Sequence, residues 1–382
     1  MKYTKDSENL QSFVNETFKD IYVEPLNQSK LLEVYQHMNM ANTAFKTARI
    51  ERNTQIVSDI DYAPTELMPH IRKCRHVQSI QFRLKRRHVI LTIHSMKPLS
   101  SIRNYVKCVF TWLHLASNYA CSKCSRSLNI NLYLTDHTKT LPRFGSVIGR
   151  SNVNTAYTTP CAESTDICIF REEEWFKVFI HESFHCLGLD FSIMQNTNAD
   201  ALIGTIFKVN ADIRLFETYC ETWAEIIHSM FLTFFSTKIK DNYGIMAGKL
   251  DRILETEARF SLFQCVKVLD FNNMKYSDLF MESKRRLYRE DTHVLSYYII
   301  KSLLLFNKNE FIDWCSQNNK VLLDFNKTSH NVDKFCELIR SLSTNKDFML
   351  SAQRMEPWFI YNKLSNTLAR KTLRMTVFEL EN

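Results

Sequence analysis

Glycine and proline are scarce in this chain, 6 and 7 in 382 residues. That scarcity excludes collagen-like tracts and long Pro/Gly-rich disordered segments, and no internal repeat is visible. No apolar run reaches the length of about 18 residues that marks a membrane-spanning helix. The stretch Ile299–Phe306 is too short and carries Lys301. The opening residues, Met1-Lys2-Tyr3-Thr4-Lys5-Asp6-Ser7, are polar and do not form a secretory leader, so a cytoplasmic location is expected. There the 11 cysteines are expected as reduced thiols. Cys121-Ser122-Lys123-Cys124 is a C-x-x-C, but no second one exists to complete a structural zinc site, and the pair reads as a loop with free thiols.

The net charge of +8 is mildly basic. Lys85-Arg86-Arg87 and Lys284-Arg285-Arg286 lack the aromatic spacing of a nucleic-acid module and read as solvated surface. Neither a specific nucleic-acid partner nor a membrane is expected.

What the chain does have is His181-Glu182-Ser183-Phe184-His185, an H-E-x-x-H. On a helix, residues four apart share a face, so both imidazoles can reach one metal ion, with Glu182 beside it as a base. The context supports a helix. Trp175–Ile180 is mostly apolar, Glu172, Glu173 and Glu174 precede it where negative charge suits a helix N-terminus, and Gly188 is a stop. Cys186 points off the ligand face.

A catalytic zinc takes three protein ligands and leaves one position open. The subclass with a third histidine six residues after the second is excluded by Phe191. Asp190 reads as a helix-end carboxylate supporting the site rather than a ligand. Further on, Glu217, Glu221 and Glu225 recur every fourth residue on an apolar helix, a costly row to bury unless paired or metal-bound. Glu221 or Glu217 would then be the third ligand, and Glu225 a partner of a ligand histidine.

H-E-x-x-H followed by Glu221-Thr222-Trp223-Ala224-Glu225 resembles the gluzincin metallopeptidases. Ile169–Glu182 with Gly188–Ser192 is similar to a family of predicted metallopeptidases of large cytoplasmic DNA viruses, and the likeness covers residues 128–230. The resemblance implies Zn²⁺ held by His181, His185 and Glu221, with Glu182 as general base and a protein or peptide as substrate. It also implies a donor for the oxyanion on the helical lobe, for which His293 and Tyr297 are the candidates. The Asn-Ala edge-strand signature of better-known gluzincins is missing.

The expected fold class is α+β, zincin-like and two-lobed. Residues 1–70 read as a helical region, 71–192 as a lobe with a twisted mixed sheet ending in the motif helix, and 193–382 as a helical lobe. Strands are expected at Ser79–Leu84, His88–His94, Leu128–Leu134 and Asp166–Phe170, with Asn154–Thr158 as the edge strand that would hold a peptide. Helices are expected at Ser29–Ile50 and near 211–236, 246–269, 290–306, 308–317 and 331–343. The competing expectations are a catalytically inactive zinc protein that binds a partner through its cleft, and a basic interaction protein of a viral core that uses zinc only for stability.

Overall fold

The computed structural model describes residues 2–54, 63–194, 197–238, 240, 242–365 and 367–381. The class is α+β, as expected. Among the described residues six strands form one mixed sheet: β1 (Ile50–Arg52), β2 (His76–Leu84), β3 (Arg87–Ser95), β4 (Ser127–Leu134), β5 (Ala156–Thr158) and β6 (Ser164–Ile169), in the order β1-β2-β3-β4-β6-β5. β3, β4 and β6 run parallel, while β1, β2 and β5 pair antiparallel with their neighbours. The β2–β3 hairpin turns on Lys85, whose φ of 53° suits a tight two-residue loop. Arg87 is not solvated surface as its basic cluster suggests. It is buried in β3 and donates to Ser117 Oγ (3.1 Å) and to the Cys121 carbonyl (2.8 Å).

The helices before and around the sheet are α1 (Lys5–Thr17), α2 (Leu32–Lys46), α3 (Met68–Ile71), α4 (Arg103–Ala116), α5 (Arg150–Val153) and α6 (Trp175–Cys186). From there the chain is helical: α7 (Thr197–Ile206), α8 (Leu215–Ser236), α9 (Tyr243–Phe271), a π-helical turn Leu295–Ile300 running into α10 (Lys301–Phe306), α11 (Lys308–Asn318), α12 (Ser329–Ser343), α13 (Lys346–Tyr361) and α14 (Leu368–Lys371). Helix α2 is shorter than expected because Ile50 leaves it to start β1. Helix α13, which holds Pro357, was not legible from pattern. Packing of its buried Phe348, Met355 and Phe359 offsets the proline's cost.

One apolar cluster runs from Leu10 through the sheet and helices to Phe378. Every residue of α6 is buried, between β5 and β6, α4 and α8. Its C-terminus closes on Gly188 at φ 65°, with the Leu189 amide on the Phe184 carbonyl and the Gly188 amide on that of His185, a left-handed cap that glycine adopts without strain. Its N-terminus departs from expectation. Glu174 takes a left-handed φ of 61° and turns inward, accepting from the Met375 and Thr376 amides at 2.7 and 2.6 Å with Lys139 Nζ 2.8 Å away.

The segment 372–378 is buried, held by apolar packing of Leu373, Val377 and Phe378 and by buried polar and charged groups. Glu257 accepts from the Val377 amide at 2.9 Å and the Phe378 amide at 3.1 Å, and Lys301 donates to the Met375 carbonyl at 3.0 Å.

Candidate metal centre

Helices α6 and α8 pack against each other and bring the two sequence features together. His181 Nε2 and His185 Nε2 lie 3.2 Å apart. Glu217 Oε2 is 3.0 Å from the first and 3.5 Å from the second. Donors at the corners of a tetrahedron around zinc, with bonds near 2.0–2.1 Å, are about 3.3 Å apart. The three spacings match that edge, so the donor set fits a zinc ion.

The far side of each ring is also held by a carboxylate. His185 Nδ1 meets Asp190 Oδ2 at 2.6 Å, and His181 Nδ1 stands 2.9 Å from Glu221 Oε2 in bent geometry. Carboxylates on both Nδ1 atoms favour the tautomer whose Nε2 lone pair faces the partner ring. Asp190 thus supports a histidine, as its position suggests.

Two expectations about α8 change. Glu221 lies one turn beyond Glu217. Its Oε1 is taken by the buried ammonium of Lys177, and its other oxygen faces His181 Nδ1 rather than the Nε2 pair. Glu225 reaches no histidine, because it pairs with Lys301 at 2.9 Å in a fully buried contact. Lys177 was missed, although a lone lysine four residues before His181 in an otherwise apolar helix is a visible signal.

The electrostatics follow from burial and charge. Burial disfavours the charged form of His181, but Glu217 and Glu221 outweigh it and lift the imidazole to about 9. Burial also works against the Glu217 carboxylate, yet His185 and His181 hold its pKa well below the usual range. The cluster therefore attracts a cation to the Nε2 pair, and a proton and a metal ion compete for that place. Glu182 is 9% exposed and its pKa is raised by burial, against the pull of both histidines.

The similarity found is to a viral protein. Over 192 residues, 49% of this chain, it is 23% identical to the uncharacterized protein R210 of Acanthamoeba polyphaga mimivirus. The match takes in 45% of that protein's length, so the chain spans under half of it. No family model and no solved structure matches the chain.

A cleft of about 1070 Å³ opens beside the histidines. Its walls include Ala156, Tyr157 and Thr158 of β5, with Glu182, His185, Glu217 and Tyr297 at its floor. A smaller slot of about 40 Å³ adjoins His181, Glu182 and Tyr297, enough for a water molecule. Tyr297, on the π-helical turn, has its ring 6.2 Å from that of His181. Burial first, then Glu217, Glu182 and Glu221, raise its phenol well above the usual range. His293 stays at the mouth, where its Nδ1 donates to the Asp212 carbonyl at 3.1 Å. Both oxyanion candidates line the cleft, Tyr297 beside His181 and His293 at the mouth.

Among the described residues no helix is long and apolar enough to cross a membrane. The cysteine expectation is corrected: Cys124 is joined to Cys161 by a disulfide.

Proposed function

We propose that this chain is a zinc-dependent peptidase of zincin type, with His181, His185 and Glu217 as metal ligands. The observation that carries the reading is the three-donor cluster at zinc spacing, with Glu182 beside it on an open cleft. Glu217 takes the ligand role that the resemblance implied for Glu221, and Glu221 instead steadies His181 from behind. A zinc ion held there would lower the pKa of a bound water toward neutrality and polarise a substrate carbonyl. Glu182 takes the proton from the attacking water and passes it to the leaving amine. Tyr297, kept protonated by its surroundings, donates to the developing oxyanion. The substrate backbone pairs with β5, which among the described residues has a neighbour on one side only.

Elemental analysis of the purified chain is expected to find one zinc per molecule, and Glu217→Ala to bind zinc at least ~100-fold more weakly. Peptide hydrolysis should stop on chelation and return with zinc. Metal-free wild-type protein that cannot be loaded with zinc overturns the reading. Tyr297→Phe is expected to lower kcat by about 10²-fold with little change in KM, whereas His293→Ala should leave kcat within a few-fold. Steady-state kinetics on a peptide library hit distinguishes the two.

A further inference from the structure

The Cys124–Cys161 bond closes a loop of sequence separation 37. Cys124 sits just before β4, and Cys161 lies between β5 and β6. Both ends abut the exit of the motif helix. The Cys161 amide donates to the His185 carbonyl at 3.1 Å, and Ser125 Oγ donates to the Cys186 carbonyl at 2.7 Å. Gly188 packs so closely that a Cβ there would meet Cys124 Sγ at 3.0 Å and Cys161 Cβ at 3.2 Å. The residues leading into Cys161, Tyr157 to Pro160, form one wall of the cleft. The bond thus ties the cleft wall to the base of the metal site.

The other thiols fall into two groups. Eight are buried, and Cys121 is exposed. Cys121 occupies the same turn as Cys124, whose amide donates to its carbonyl at 3.2 Å. Cys124 is itself fully buried, while Cys161 is half-exposed. A thiol that shares one turn with a disulfide sulfur, in a C-x-x-C, is within chain reach for exchange with it.

We propose that Cys121, Cys124 and Cys161 form a thiol–disulfide exchange site that controls the cleft wall. The Cys121 thiolate attacks Cys124 Sγ. A Cys121–Cys124 bond forms, the Cys124–Cys161 bond breaks, and Cys161 leaves as a thiolate that takes up a proton. That step is electron-neutral. Full reduction consumes two equivalents of a small thiol such as glutathione. These leave as one disulfide, and their two electrons and two protons end on the protein cysteines. Once Cys161 is released, the loop beyond β5 loses its covalent tie to the turn beneath the metal helix, and the edge that would pair with a peptide loosens. The exchange itself stands on the cysteine geometry, and only its effect on hydrolysis rests on the peptidase reading.

The test uses the full chain at graded ratios of reduced to oxidised glutathione, with alkylation and disulfide mapping by mass spectrometry. The oxidised protein is expected to carry Cys124–Cys161, and intermediate ratios to show Cys121–Cys124. Cys121→Ser should lack the second bond and be reduced at least about tenfold more slowly. Hydrogen exchange across residues 156–161 should rise on reduction and in Cys161→Ser, at unchanged zinc content, and peptide hydrolysis should fall several-fold. The proposal is overturned if the oxidised protein lacks the Cys124–Cys161 bond, if Cys121→Ser is reduced at the wild-type rate, or if exchange across 156–161 does not respond to reduction. Should mapping and exchange behave as expected while neither redox form hydrolyses peptides, the thiol site stands and the peptidase reading falls.

Discussion

Glu182→Gln is expected to keep one zinc per chain and to lose about 10³-fold in kcat. General-base assistance contributes roughly 10²–10⁴-fold. His181 and His185 face each other and Glu217 through Nε2, so neither ring is free to take a proton from water. Glutamine matches glutamate in size and keeps the α6 packing, which leaves zinc content as an internal control. The decisive comparison is of new protein termini generated by wild type and by the variant in one extract. Equal patterns at equal zinc content would remove Glu182 from the mechanism and favour a zinc protein that only binds a partner.

Lys301→Met is expected to destabilise the fold by about 3–5 kcal/mol, the usual consequence of leaving a buried charge without its partner. The lysine is buried between Glu225 Oε2 at 2.9 Å and the Met375 carbonyl at 3.0 Å. Its loss strands the buried Glu225 carboxylate without its partner, beside Glu257. Lys301→Met combined with Glu225→Leu should recover most of the deficit, because a well-packed apolar pair is often as stable as a buried ion pair. Urea unfolding of the single and double variants measures both. A double variant no better than the single one would mean that the pair is not coupled.

Much of the centre was legible because a four-residue spacing has one geometric meaning on a helix. His181, Glu182 and His185 needed only an apolar helix and a stop, and Gly188 supplies the stop. Glu217, Glu221 and Glu225 share that same spacing, so spacing alone does not rank them, and the resemblance favoured Glu221. Their neighbours break the tie: Lys177 claims Glu221 and Lys301 claims Glu225, leaving Glu217 for the Nε2 pair. Those lysines come from other helices, and nothing local announces the pairing. The same holds for Cys161, which is far in sequence from the C-x-x-C that drew attention. Strands β2, β3, β4 and β6 were readable from apolar and β-branched runs. The role of Glu174 was not, since three consecutive glutamates before a helix look like a favourable dipole contact, and the amides it serves are 200 residues away, at Met375 and Thr376.

That last arrangement bears on the order in which a growing chain can be completed. Synthesis delivers the histidines and Glu217 well before residues 375–378. Until those residues emerge, Glu174 and Glu257 lack the backbone amides that satisfy them in the finished fold. Glu174 then has Lys139 but not those amides, and a buried carboxylate short of donors is costly, so the helix bearing His181 and His185 is expected to lock late. Translation of residues 375–378, rather than arrival of His181, His185 and Glu217, then sets the moment at which these helices lock together.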